Sequence, residues 1–208
     1  MKILHIDSSI NQEHSVTRQL SQEVVRQLTE TGRYDSVVYR DVVKDAIHHL
    51  TAPVAAGFRP VPGKEVGGEA LANEHQISRQ VVDEFLASDT LVIGAPMYNF
   101  SVSSQLKAWL DRLAQPGKTF SYTAQGPVGL AGGKTVIIVS ARGGFYFNTP
   151  LSEMDFQERY LRQFFAFLGI AQVEFIRAEG ISKGEDVKQH EIAAAFTTIP
   201  LILNSLYP

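Results

Sequence analysis

The chain has 208 residues, with 19 Lys and Arg against 22 Asp and Glu, and it contains no Cys. The formal net charge of −3 leaves no broad basic surface, so we expect no nucleic-acid partner. The absence of Cys rules out disulfides and thiol nucleophiles, and it fits the cytoplasm. No apolar run approaches the roughly 18 residues of a membrane span, and His5 and Asp7 interrupt any signal-peptide core. We therefore expect one cytoplasmic domain over residues 1–208, with no membrane partner.

Short apolar runs alternate with helical periods along the whole chain. The predicted strands cover residues 3–6, 37–39, 91–93, 135–139 and 173–176. Apolar residues at helical spacing cover residues 20–28, 77–86, 106–113, 161–168 and 192–206. Pro200 lies in the last helical stretch, where a proline predicts a kink or a break.

Strands that alternate with helices predict parallel βαβ crossovers. Continuous apolar strands predict a sheet that is covered on both faces. The sequence therefore predicts an α/β fold, a three-layer sandwich around a five-stranded parallel sheet. Five strands favour the flavodoxin-like order 2-1-3-4-5 over the six-stranded alternative. The connection at 41–69 is unusually long, and it is either a functional lid or arm, or a linker.

In such a sheet, ligands bind beyond the carboxyl ends of strands one and three. The first of these loops contains Ser9, Ser15 and Thr17 just before a helix. Free N–H groups and the helix dipole favour a phosphate there. Alternatively, Ser15 only caps the helix.

Two further loops carry signals of a flat ligand. Met97, Tyr98, Asn99 and Phe100 follow the third strand, where large apolar groups suit a heteroaromatic ring. The alternative is a hydrophobic turn buried under the next helix. After the fourth strand come Ala141, Arg142, Gly143 and Gly144. The paired glycines permit close approach of the backbone to a ligand, and the alternative is a plain turn with Arg142 in solvent.

Three other known motifs are absent or incomplete in this sequence. No Gly-x-Gly-x-x-Gly follows the first strand, so a dinucleotide fingerprint is excluded. Residues 128–135 resemble a Walker loop, but Val128 replaces the first glycine and the segment precedes a strand, so we predict a turn. Ala194 replaces the second histidine of a zinc motif that starts at His190, and we predict no metal site.

Taken together, the motifs resemble the FMN-dependent NADH-azoreductases, which are also NADH:quinone oxidoreductases of flavodoxin-like fold. The motifs that carry the resemblance occur in family order at 8–9, 15–17, 95–100, 105–107, 119–122, 141–144, 167–170 and 178–180. Ala141 stands where the family usually has Ser, and Val16-Thr17 replaces a Gln-Ser pair. The first change removes one hydroxyl, and both weaken the argument from side chains, whereas backbone contacts can survive either change.

The resemblance implies FMN as the cofactor and NADH as the co-substrate. It implies that Ser9, Ser15, Val16 and Thr17 hold the phosphate. It also implies that residues 97–100 border the isoalloxazine and that residues 141–144 meet its pyrimidine end. The electron acceptors would be quinones and azo dyes in ping-pong kinetics. The flavin carries the chemistry, so no side chain is assigned a catalytic role.

On the substrate side, the resemblance points to Arg59, which could bind a sulfonate or a nucleotide phosphate. Tyr122 and Tyr146 are candidates to stack over the flavin or to shape the acceptor pocket. The alternative for all three is loop surface. The resemblance also implies a homodimer, for which Trp109 and the aromatic run at 164–167 are either interface or ordinary core.

Two rival functions remain. A non-enzymatic flavodoxin carries single electrons, but such carriers are usually far more acidic than a net charge of −3. A phospho-signalling receiver domain needs an acidic cluster around the first strand, and Asp7 stands alone there.

Overall fold

The computed structural model describes residues 1–58 and 68–207. In chain order its main elements are β1 (Lys2–Asp7), α1 (Val16–Glu30), β2 (Ser36–Asp41), α2 (Ala52–Ala56), α3 (Glu69–Ala87), β3 (Thr90–Pro96), α4 (Ser104–Leu113), β4 (Phe120–Thr123), β5 (Gly126–Gly129), β6 (Thr135–Ala141), α5 (Phe156–Phe167), β7 (Gln172–Ala178) and α6 (Glu185–Leu206).

The main sheet has the order β2-β1-β3-β6-β7, and all its neighbouring strands are parallel. This is the predicted order 2-1-3-4-5 once the five sheet strands are counted alone. β1 lies between β2 and β3, with Leu4 opposite Val38 on one side and Leu91 on the other. The carboxyl ends of β1, β3 and β6 consequently lie side by side.

Helices cover both faces of this sheet and form two cores. On one face, α3, α4 and α5 bury Phe85, Trp109 and Phe165. On the other face, α1 and α6 bury Leu20 and Ile199. Every residue of β3 is buried, because a central strand between two helical layers has no solvent side. The three-layer sandwich is confirmed.

The aromatic residues considered for an interface belong to the core. Trp109 and Phe165 have no exposed surface, so the interface hypothesis is wrong for both. Phe164 and Phe167 are partly buried and pack against the same core. Apolar residues at helical spacing satisfy either role, and packing against the sheet decides between them.

The helix α6 continues through Pro200, so the predicted break does not occur. Proline lacks the N–H that would bond to the preceding turn. Ile199 and Leu203 on either side of it are buried against the sheet. This burial holds the helix together across the missing hydrogen bond.

An antiparallel hairpin of β4 and β5 and the short helix α2 are additions to the predicted elements. Val128 and Gly129 belong to β5, so only the residues after them form the predicted turn before β6. A Cβ at Gly129 would lie 2.0 Å from the backbone nitrogen of Gly169, which explains the glycine. Helix α2 lies in the long connection, and Arg59 is outside the described residues.

Candidate functional site

A cavity of about 440 Å³, here called the crevice, lies where the loops after β1, β3 and β6 meet. Its volume falls within the range typical of small-molecule sites. The crevice brings together nine of the predicted cofactor residues: Ser9, Ser15, Val16, Thr17, Met97, Tyr98, Ala141, Arg142 and Gly143. Six further residues line the crevice: Asn11, His14 and Pro96, which lie in the two predicted ligand loops, and Ile181, Ser182 and Lys188, which sequence reasoning missed.

The other predicted residues lie around the crevice. Asn99 lines a neighbouring cavity of about 670 Å³, together with Tyr98. Phe100 is 39% exposed, and its ring meets the ring of Tyr146 edge-on, with 6.4 Å between centroids. Tyr122 lies apart on the β4–β5 hairpin and is 72% exposed.

Gly144 is the remaining predicted residue, and its carbonyl accepts a hydrogen bond from the backbone N–H of Gly180. Ser182 donates its N–H to the carbonyl of Gly143 in the same way. Among the described residues, the amides of Gly143 and Gly144 have no acceptor. Of these two residues, Gly143 lines the crevice.

The start of α1 forms one end of the crevice. The Ser15 hydroxyl accepts a hydrogen bond from the Arg18 amide at 3.3 Å, so the predicted cap is confirmed, and it also shares a hydrogen bond with the Thr17 hydroxyl at 3.0 Å. The amides of Val16 and Thr17 lie in the first helical turn and have no acceptor among the described residues. Capping and anion binding are compatible here, because they use different N–H groups.

Arg18 braces this loop from behind. Its guanidinium donates to the carbonyl of Ser9 at 3.1 Å, to the Tyr39 hydroxyl at 3.0 Å and to the Asp41 carboxylate at 2.7 Å. Burial raises the pKa of Asp41, but the hydrogen bond and charge of Arg18, together with hydrogen bonds from the backbone N–H groups of Lys44 and Val43, outweigh burial and lower the pKa overall. Through Arg18, the β2 edge thereby fixes the position of the loop after β1. No sequence motif predicts the contact between Arg18 and Asp41.

Asp7 is fully buried beneath the same loop. Its carboxylate accepts hydrogen bonds from the Ser21 hydroxyl at 3.0 Å and the Tyr39 hydroxyl at 3.1 Å. Burial and the Asp7 charge raise the pKa of Tyr39 to about 12. A Cβ at Gly94 would lie 2.5 Å from an Asp7 oxygen, so the glycine makes room for this carboxylate.

The turn after β3 forms the opposite end of the crevice. Met97 donates its N–H to the carbonyl of Ala141 at 2.9 Å, which ties the turn to the loop after β6. Asn99 and Phe100 adopt left-handed conformations with φ of 47° and 70°, an uncommon state for such residues. The exposure of Phe100 shows that the next helix does not bury the turn. The interpretation as a covered hydrophobic turn is therefore wrong.

The Arg142 side chain faces away from solvent, with no exposed surface. Its guanidinium pairs with Asp155 at 2.7 Å, Glu158 at 2.5 Å and Glu179 at 3.2 Å. These bonds engage the guanidinium, and the alternative of a solvated Arg142 is wrong. The side chain thus acts as an anchor for the loop after β6.

Glu179 transmits this anchoring to the loop. Its carboxylate accepts hydrogen bonds from the backbone N–H groups of Tyr146 at 3.0 Å and Phe147 at 3.1 Å. Glu158 binds Arg177 as well as Arg142, at 2.7 Å and 2.5 Å. Burial would raise the pKa of Glu158, but the two arginines outweigh it and lower the pKa.

Within 1–58 and 68–207, no group of three His, Asp or Glu residues could hold a metal ion. Over the same residues, no helix is both long enough and apolar enough to cross a bilayer.

Comparison with known proteins gives consistent matches. A family model described as flavodoxin-like fold matches residues 1–199. The chain is 50% identical over 206 residues to an FMN-dependent NADH:quinone oxidoreductase 2 of Xanthomonas euvesicatoria pv. vesicatoria, covering 99% of this chain and 95% of that one. It is 52% identical over 199 residues to an FMN-dependent NADH:quinone oxidoreductase of Sinorhizobium fredii, covering 96% and 95%. The crystal structure of an azoreductase from Bacillus anthracis superposes with a TM-score of 0.87 at 27% identity, covering 99% of both chains.

The lowered pKa of Glu158 predicts a pH-dependent contribution to stability. A carboxylate with a lowered folded-state pKa stabilises the fold above its unfolded pKa of about 4.3, and the contribution is lost as the pH falls below that value. We expect Glu158→Gln to lower the free energy of unfolding by about 3 kcal/mol at pH 7 and by much less at pH 3. Urea denaturation at both pH values measures the difference.

Glu153→Gln is the control for this experiment, because Glu153 is exposed on the segment just before α5. Its effect should be small at both pH values. An equal loss at pH 7 and pH 3 for Glu158→Gln would contradict the role of its charge.

Proposed function

The chain belongs to the flavodoxin-like family that includes the FMN-dependent NADH:quinone oxidoreductases, and from this premise we propose that it is such an enzyme. In this proposal it transfers two electrons from NADH to quinones and reductively cleaves aromatic azo compounds. The observation that carries the proposal is the crevice, which joins a hydroxyl-rich helix start to the Met97–Tyr98 turn.

The residues of the crevice fit FMN. The hydroxyls of Ser9, Ser15 and Thr17, with the unpaired amides at the start of α1, suit its phosphate. Met97 and Tyr98 suit the isoalloxazine ring, and the buried Tyr98 hydroxyl has no hydrogen-bond partner among the described residues. Because Ala141 stands where the family usually has Ser, the site lacks one hydroxyl, but the Gly143 and Gly144 amides remain as donors.

When bound, FMN supplies the redox chemistry by accepting a hydride from NADH and returning two electrons to the acceptor. The chain positions these reactants. The Gly143 and Gly144 amides are fixed donors for negative charge that develops at the pyrimidine end. Water can deliver protons to an open crevice, so the proposal assigns no side chain as a catalytic acid.

NADH and the acceptor would occupy the same side of the crevice in turn, which requires ping-pong kinetics. We expect NADH to bleach the flavin absorbance of the holoprotein without oxygen or acceptor, and a quinone to restore it. Stopped-flow absorbance measures both half-reactions, and a parallel run with NADPH sets the coenzyme preference.

A non-enzymatic flavodoxin would leave NADH unoxidised in this experiment, so the result separates the two functions. Initial rates that give intersecting rather than parallel double-reciprocal lines would contradict the ping-pong scheme.

Arg59 is proposed to recognise anionic acceptors. Its guanidinium suits a planar anion such as a sulfonate. We expect Arg59→Ala to lower kcat/KM for a sulfonated azo dye by about tenfold, with less than a twofold change for an uncharged quinone. Steady-state assays with both acceptors measure the ratio.

Two matched variants test whether the effect of Arg59→Ala depends on its charge and on its position in the sequence. Arg59→Lys should recover part of the dye activity, because it keeps the charge without the planar fork. Lys64→Ala removes the next cation along the sequence and should leave the ratio unchanged. An equal loss for dye and quinone in Arg59→Ala would remove the charge-recognition role.

We also propose a homodimer, acting in the cytoplasm. Six large apolar side chains in the turn after β3 and in residues 145–156 are 39–55% exposed, and exposed apolar groups that cluster are typical of protein–protein interaction sites. These residues, here called the rim patch, are Phe100, Phe145, Phe147, Leu151, Met154 and Phe156. Phe156 donates its N–H to the carbonyl of Phe100 at 3.1 Å, which links the patch to the turn after β3.

A rim-patch interface predicts a mass of about twice 23.0 kDa in solution. Phe156→Asp should shift the protein toward monomer, because it places a charge in a buried apolar contact. Leu201→Asp is the control, since Leu201 is 69% exposed on α6, away from the patch. Sedimentation velocity measures all three proteins, and a monomeric wild type or an unaffected Phe156→Asp would contradict this interface.

A further inference from the structure

Lys188 lies at the phosphate end of the crevice, although it belongs to α6 near the other end of the chain. It lines the crevice and also an adjoining cavity of about 930 Å³, here called the outer groove. The residues that line both cavities are His14, Ser15, Val16 and Lys188. Lys188 is therefore beside the start of α1 rather than beside Met97 and Tyr98.

A phosphate monoester at this position needs positive charge. Its charge at pH 7 is close to −2, whereas the serine and threonine hydroxyls are neutral. The helix start contributes roughly half an elementary charge. Arg18 is paired with Asp41, and Arg142 is surrounded by three carboxylates. Carboxylates thus neutralise both arginines near the crevice.

Lys188 is less firmly engaged than either arginine. Its ammonium lies 3.3 and 3.4 Å from the two oxygens of Glu185. These distances exceed the 2.7–2.9 Å typical of strong charge-assisted hydrogen bonds. The Glu185 side chain is 67% exposed, and such surface pairs are weak. Gln189 also donates to Glu185 at 2.7 Å, so Glu185 keeps a partner if Lys188 leaves.

We propose that Lys188 exchanges Glu185 for the phosphate of FMN and supplies the positive charge of the phosphate site. This inference rests on the proposed function, because it requires FMN in the crevice. It assigns a binding role to a residue on α6, a helix that carries none of the predicted cofactor residues. The flexible stem of a lysine suits this exchange of partners.

Titration of the full-length apoprotein with FMN and with riboflavin, which lacks the phosphate, tests the proposal. Quenching of flavin fluorescence measures both affinities. We expect Lys188→Gln to weaken FMN binding about tenfold and to change riboflavin binding less than twofold. Lys188→Arg should retain most of the FMN affinity. Lys183→Gln, which removes an exposed cation just before α6, should behave as wild type.

The salt dependence of FMN binding and the removal of the Glu185 charge provide a second test. The FMN affinity of wild type should fall more steeply with ionic strength than that of Lys188→Gln, because one charge pair is missing in the variant. Glu185→Gln should tighten FMN binding about twofold, since it removes the competing partner. An FMN affinity of Glu185→Gln that does not rise would overturn the exchange.

The outcomes separate this inference from the proposed function. Equal losses of FMN and riboflavin affinity in Lys188→Gln, or no loss at all, would overturn the role of Lys188 and leave the proposed function standing. A wild-type protein that binds neither flavin would overturn both.

Discussion

Three parallel strands, β1, β3 and β6, end at one edge of the sheet, and the main walls of the crevice continue from those ends. Parallel strands with helical crossovers must all point the same way, so their carboxyl ends collect on one side. The hydroxyl-rich helix start, the Met97 turn and the paired glycines are far apart in the chain. The sheet order alone makes them neighbours.

Two arginines, Arg18 partly buried and Arg142 fully buried, hold these neighbouring loops in a fixed geometry. Arg18 ties the first loop to β2 through Asp41, and Arg142 ties the last loop to Asp155, Glu158 and Glu179. Burial of such charges is costly, and close pairing offsets the cost. These pairs fix the position of loops whose amides have no acceptor among the described residues.

The same arrangement explains why the charge of the site must come from elsewhere. Arginines that hold loops through carboxylates contribute little net charge to a phosphate. Lys188, on α6, lines the crevice, and its ammonium lies 3.3 and 3.4 Å from the oxygens of Glu185. Anchoring and ligand charge are thus divided between different residues, and each can vary without the other.

The sequence by itself determined the five sheet strands, their order and the three loops of the crevice, because hydrophobic periodicity and crossover topology are encoded locally. It also supplied the family resemblance. The β4–β5 hairpin escaped prediction because its strands are only four residues long, and β5 has glycine at both ends and carries no clear alternation. Only tertiary packing decided three features: the core position of Trp109, the continuity of α6 through Pro200 and the burial of Arg142. Each depends on partners distant in sequence, and the same residue types satisfy core and surface roles equally well until those partners are in place.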